Sequence, residues 1–204
     1  VDHLPSRGEA AVDPPAEFRA ALEAMATVSP RPEIVVEHIP APQRLAPYAH
    51  AVAARVSEVV GDDDSEIATG RFIVLHDPAG HPAWDGTTRC VGYLSAGTDE
   101  QLVDDELFSE VAWSWLVDAL DENGADHHAI GGTVTRTAST RFGDIAGPEH
   151  AVDVEIRASW TAEGTDLDRH LGAWLGVLSH AAGLPPPGVH LLGPAGSAAG
   201  SSGS

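Results

Sequence analysis

The sequence predicts an α+β fold: an antiparallel sheet of about five strands, built from two β-hairpins and a short extra strand, packed with about four helices. Three observations carry this. Two pairs of strand-like runs, Glu66–His76 with Thr87–Ala96 and Ile130–Phe142 with Ala151–Ala162, are each joined by turn-forming residues. Between and around them apolar residues recur at helical spacing. The order strand–strand–helix also occurs twice, over about 70–122 and about 130–182, and each helix carries a Trp-Leu pair (Trp115-Leu116, Trp174-Leu175), which suggests a ββα duplication.

Taken in order, residues 1–12 are polar and punctuated by Gly and Pro, and are expected to be a disordered tail. A single domain is expected over 13–190. Asp13-Pro14-Pro15 reads as a helix start, with Asp13 as N-cap and Pro14 in the first turn. Phe18, Ala21, Leu22 and Met25 form its apolar stripe, and Ser29-Pro30-Arg31-Pro32 stops it. Glu33–Ile39 is β-branched and reads as a short strand. A second helix is expected to begin between Pro42 and Pro47, with Leu45, Tyr48, Ala49, Val52, Ala53 and Val56 buried.

The first hairpin is apolar on both faces, with Ile73 and Leu75 opposite Phe72 and Val74, so both faces are expected to be covered, one of them by the two N-terminal helices. Thr98–Asn123 reads as a helix with Phe108, Val111, Ala112, Trp115, Ala119 and Leu120 along one face, stopped by Asn123-Gly124. The second hairpin alternates. Thr133, Thr135, Thr137, Ser139 and Arg141 share a polar face with Asp153, Glu155, Arg157, Ser159 and Thr161, which predicts one packed and one open face. The last helix carries Leu167, Leu171, Trp174, Leu175 and Leu178, a Thr165/Asp168 pair resembling a capping box, and Gly183 before Pro185-Pro186-Pro187. From Gly193 the chain is Gly, Ala and Ser with one Pro, and residues 191–204 are expected to be a second disordered tail.

Charge narrows the function classes. There are 31 Asp+Glu against 11 Lys+Arg, all of them Arg, giving −20. Such a chain repels phosphate backbones and anionic membranes, so neither nucleic acid nor membrane is an expected partner. Ten carboxylates and no Arg lie within 99–126; this reads as a solvated helix face, or alternatively as a docking surface for a basic partner. The lone Cys90 sits in an apolar run and excludes an internal disulfide. With no apolar h-region and no stretch long enough to span a bilayer, the expected location is cytoplasmic.

The densest set of chemically capable side chains is His76–Gly86, HDPAGHPAWDG. His76, Asp77, His81, Trp84 and Asp85 are the candidate binding residues. His and carboxylate can hold a divalent ion or do acid–base work, but this spacing matches no metal signature. Asp77-Pro78-Ala79-Gly80 and Asp85-Gly86 are also what tight turns use, so a hairpin connection pinned by Trp84 accounts for most of the stretch. The secondary candidates are Arg44, Tyr48 and His50, which could meet an anion at the expected second helix's N-terminus. No nucleophile elbow, phosphate-binding loop, dinucleotide fingerprint, HExxH or CxxC occurs. No catalytic residue, metal ligand or cofactor is assigned.

The blocks PAPQRLAPYAHA, GRFIVLHDPAGHPAWDG, VAWSWLVDAL, GTVTRTAS and VEIRASW resemble the DUF3000 family, actinobacterial proteins of unknown function, over about residues 14–188. The resemblance implies a cytoplasmic actinobacterial protein, in keeping with the missing Lys, and implies no activity or cofactor. The expected function is therefore a non-catalytic binding or interaction module using the His76–Gly86 loop, the open polar sheet face, or both. Its partner would be another protein, a small molecule or, through the open face, a second copy. The alternative is a metal-assisted hydrolase with His76, Asp77, His81 and Asp85 around one ion.

Overall fold

The computed structural model describes residues 13–60, 63–98, 105–144 and 149–186. Both expected tails and most of the acidic run before residue 105 lie outside these. One antiparallel sheet of six strands dominates: β1 (Ile34–His38), β2 (Tyr48–Val60), β3 (Asp63–His81), β4 (Gly86–Thr98), β5 (His127–Thr140) and β6 (His150–Ala162), in the spatial order β1-β2-β3-β4-β6-β5. Three helices complete it: α1 (Ala16–Met25), α2 (Phe108–Glu122) and α3 (Leu167–Ala181). The α+β class and both hairpins are as expected; the described residues form six strands rather than about five, and three helices rather than about four.

The difference lies in β2, where a helix was expected. Val52, Val56, Val59 and Val60 favour strand, the alanines favour helix, and a run of Ala and Val satisfies both periods. Pairing decides it, because β2 takes β1 on one edge and β3 on the other, with Ile34 opposite Val56 and Val52 opposite Phe72. Burial then alternates: Val52, Ala54 and Val56 point into the core, while Ala53 and Arg55 point out.

The packed face runs across the sheet through Val52, Phe72, Cys90, Leu94, Ile156 and Trp160. α3 lies over it, touching β4, β3, β2 and β6, with α1 and α2 alongside. Its expected stripe is buried, and Trp174 lies 5.7 Å from the Phe72 ring. The indole comes this close because Gly70 and Gly92 face it. A Cβ on Gly70 would sit 2.6 Å from Trp174 Cζ2 and 2.6 Å from the Tyr93 carbonyl oxygen. Gly132 gives the same clearance to Trp113 of α2.

Helix ends differ in detail from expectation. α1 starts after Pro15, not at Asp13, and has no side-chain cap. α3 starts after Asp166, and the Thr165/Asp168 pair forms no capping hydrogen bond. Gly124 and Gly183 do end α2 and α3 in left-handed geometry, with Ala125 N donating to Leu120 O and Leu184 N to Ser179 O. On α2 the buried residues are Phe108, Ala112, Leu116 and Leu120, whereas Val111 is exposed.

All three helices pack into the same core, so the outer face of the sheet carries no helix among the described residues. The expected second layer over the first hairpin is thus absent there, since the segment meant to supply it is β2 itself. The two hairpins meet along β4–β6, and the strand order β3-β4-β6-β5 is what a two-fold axis normal to the sheet would produce. Each following helix crosses that seam. α2 packs beside β5 of the second hairpin, and α3 lies over β3 and β4 of the first.

Candidate functional site

The His76–Gly86 stretch is two turns in series. His76 still pairs with Thr88, and pairing resumes only at His81 with Gly86, so residues 77–80 bulge out of the ladder. Asp77 Oδ1 accepts a 3.0 Å hydrogen bond from Ala79 N, and Gly80 takes φ +78°, which together turn the chain. Residues 82–85 make the hairpin turn, closed by Trp84 N on His81 O at 2.9 Å and by Asp85 at φ +55°.

This geometry sends the two histidines to different surroundings. His76 is buried on the helix side of the sheet, stacked on Phe18 of α1 with ring centroids 5.1 Å apart, and its Nδ1 shares a 3.0 Å hydrogen bond with Thr88 Oγ1. Glu17 Oε1 lies 3.4 Å from Nε2, close enough for attraction but without hydrogen-bond alignment. Burial lowers the pKa of His76 against the opposing pull of Glu17 and Asp77, so the ring is neutral near pH 7. His81 instead stacks on Trp84 at 4.5 Å and accepts from Ala83 N through Nδ1.

The loop tip is tied to the second hairpin. Thr161 Oγ1 donates to Trp84 O, and His128 Nε2 donates to Asp85 O at 2.8 Å. His128 Nδ1 lies 2.6 Å from Glu163 Oε1, and the Asp85 carbonyl first, then Glu163, raise its pKa. Of the five candidate residues, His81 and Trp84 touch each other, Asp85 holds His128, Asp77 closes its own turn, and His76 belongs to the α1 contact. Among the described residues no three His, Cys, Asp or Glu side chains gather as a cation set. The arrangement required for a metal-assisted hydrolase, His76 and His81 around one ion, is therefore not formed by these side chains.

Arg44, Tyr48 and His50 do not sit at a helix N-terminus, because no helix follows. Arg44 is exposed at φ +71° before β2. Tyr48 packs near Phe18, 6.1 Å between centroids. His50 meets His38 of β1 edge-on at 5.1 Å.

Strand pairing assembles a different surface, on the outer face. Arg55, Arg71, Arg89 and Arg157 come from β2, β3, β4 and β6 and all point away from the helices. Arg55 pairs with Glu37 at 2.9 Å, and Arg157 pairs with Glu155 at 2.8 Å while lying over the Tyr93 ring. Tyr93 OH donates to Glu155 Oε2 at 3.0 Å. Arg89 is spent on the fold, donating to Ala129 O, Thr161 Oγ1 and Ser159 Oγ. Two shallow hollows flank Tyr93 and Arg157: one of about 710 Å³ reaching Arg55, Arg71 and Ile73, the other of about 460 Å³ reaching Val91, Thr133 and Ser159. The Thr/Ser face of β5 continues this surface, as the alternation predicted. Sequence reasoning placed Arg157 on this face but missed Arg55, Arg71 and Arg89, because only the register shows that residues so far apart are neighbours.

No helix of the described residues is long and apolar enough to cross a membrane. The profile of a family described as "Protein of unknown function (DUF3000)" matches residues 14–190. No curated protein and no solved structure matches the chain.

Proposed function

The chain belongs to the DUF3000 family, and from that premise we propose a non-catalytic interaction module whose working surface is the outer face of the sheet and whose occupant there is a second copy of the chain. One observation carries the reading: this face carries no helix among the described residues, stays exposed around Arg71, Tyr93 and Arg157, and is balanced in charge, on a chain that is otherwise strongly acidic. Among the described side chains of its strands it holds Arg55, Arg71, Arg89 and Arg157 against Glu37, Glu66, Asp153 and Glu155. Two copies meeting through this balanced face bring fewer like charges into contact than an approach through the acidic surface would.

Arg71 and Asp153 make no ion pair with another described residue, and so are free to pair between copies. Ile73, Val91 and Tyr93 supply half-buried apolar area between the charges. Six strands about 4.8 Å apart span roughly 25 Å, and eight paired residues add roughly 27 Å along the strands. That footprint approaches the ~800 Å² per partner of a standard interface.

Light scattering and sedimentation equilibrium test this. The expected result is a dimer at tens of micromolar that becomes monomeric in Arg71→Glu and in Val91→Glu, with melting temperature retained. A monomer at millimolar concentration, or a dimer indifferent to both substitutions, overturns it. So does a monomer whose outer-face amides of β3 and β4 are protected by the chain's own tails, shown by faster exchange when those are removed.

A further inference from the structure

The helix side of the sheet holds a second, separate feature, independent of the outer face. Between α1, α3 and the β1–β2 edge lies a cavity of about 240 Å³. Leu22 and Met25 of α1, Val36 and Val52 of the sheet, and Leu171 and Leu175 of α3 line its interior. Two more lining side chains are polar, and they are both imidazoles: His38 and His50, one from each strand, 5.1 Å apart and near perpendicular. His38 is exposed and His50 half-buried, whereas Met25, Val52 and Leu171 are buried. The cavity is thus apolar within and carries its polar groups toward solvent.

Neither imidazole hydrogen-bonds to another described residue, although the other histidines of the sheet and of α3's inner face have such partners, His76 with Thr88, His128 with Asp85 and His170 with Trp160. Burial and the neighbouring His38 both disfavour a charge on His50; each imidazole carries an N–H that can donate. Two donors at the mouth of an apolar cavity match a head group with two acceptor oxygens on an apolar body. An apolar cavity of ~150 Å³ accepts benzene, so this one has room for about eight to ten non-hydrogen atoms.

We propose that the cavity between α1, α3 and the β1–β2 edge binds a small monocarboxylic acid, its apolar body among Leu22, Met25, Leu171 and Leu175 and its carboxyl group received by His38 and His50. The chain's negative charge works against an anion at long range, so the interaction is short-ranged and strengthens as salt screens the repulsion.

Octanoate is the probe, titrated into the whole chain by calorimetry and followed by the ring-proton NMR signals of His38 and His50. Saturable one-to-one binding in the micromolar to low-millimolar range is expected, with both rings shifting and affinity rising between low and moderate salt. His50→Leu should weaken octanoate about tenfold or more, as loss of a hydrogen bond to a charged group does, while binding of octanol, a neutral compound of the same chain length, stays within about threefold. Leu175→Trp should abolish both; if that variant does not fold, Leu22→Phe, on a half-buried position, should weaken both. Absence of binding to the wild-type chain at 10 mM octanoate overturns the proposal. So does binding that leaves the His38 and His50 signals in place, or that survives all three substitutions.

Discussion

His170 makes the stability of this protein fall in mild acid by an amount that can be worked out. It is 1 % exposed on the inner side of α3, and its Nδ1 accepts a 3.0 Å hydrogen bond from Trp160 Nε1, itself fully buried. Accepting at Nδ1 puts the ring's own proton on Nε2. Protonating Nδ1 would set two donors against each other in a dry site. Burial first, then nearby His127, lower the pKa from 6.5 to about 4, against the pull of Asp166, Asp168 and Asp126. A histidine with a lowered folded-state pKa binds fewer protons folded than unfolded between the two values. Its contribution is therefore complete above the unfolded value and is lost as pH falls through the window from 6.5 to about 4. With one pKa unit worth ~1.4 kcal/mol, the loss from pH 7 to pH 4.5 is about 2.5 kcal/mol, rising to about 3 kcal/mol at pH 4. The assay is urea unfolding of the wild type and of His170→Gln, whose side-chain oxygen can still accept from Trp160, at several pH values between 7 and 4.5. The difference between the two proteins cancels the other titrating groups. Their stabilities should converge or cross as pH falls. Parallel decline of the two curves to within about 0.5 kcal/mol, the usual scatter of neutral substitutions, would refute the reasoning.

Three further outcomes are expected. Gly70→Ala should destabilise by about 1–3 kcal/mol, since its Cβ meets the Trp174 ring and the Tyr93 carbonyl and the backbone cannot yield; thermal unfolding checks it, and an unchanged melting temperature would count against the packing described. Thr161→Val removes the hydrogen bonds from Thr161 to Trp84 O and from Arg89 to Thr161, at a cost of about 1–2 kcal/mol; amide exchange should speed up at residues 82–85 while α3 is unaffected. Cys90 is completely buried, and burial holds its thiol far above the ordinary range, so a thiol reagent should label it only on unfolding; rapid labelling of the native protein would contradict the core placement.

How much was legible depended on whether a residue's role is set by its near neighbours in sequence. The stripe Leu167, Leu171, Trp174, Leu175, Leu178 reads as one buried face at sight, and it is one. The alternation of β6 and the Thr/Ser run of β5 gave the open half-face for the same reason. β2 was not legible, because Val52 and Val56 fall on both a helical and a strand stripe and only β1 and β3 decide between them. The same long-range pairing hid the sites. His50 lies on β2 and not at a helix end, and its contact with His38 exists only through the β1–β2 ladder, which no local pattern announces. His76 looked available for chemistry until Phe18, far earlier in the chain, closed over it. The hairpin turns were predicted from Asp-Pro and Asp-Gly, but nothing local shows that Asp85 would hold His128.

The crossing of α2 and α3 over the β4–β6 seam bears on how the chain is made. α3 makes the most extensive helix contacts with β3 and β4, yet it is the last described element to be synthesised. At ~5–20 residues per second, on the order of ten seconds separates the emergence of β4 from that of α3. Throughout that time Phe72, Val74, Leu94 and the glycine track at Gly70 and Gly92 have no Trp174 to receive. The ribosome-bound chain thus lacks the cover that α3 gives to β3 and β4, and the order of translation leaves open the part of the apolar face that the finished fold conceals under Trp174.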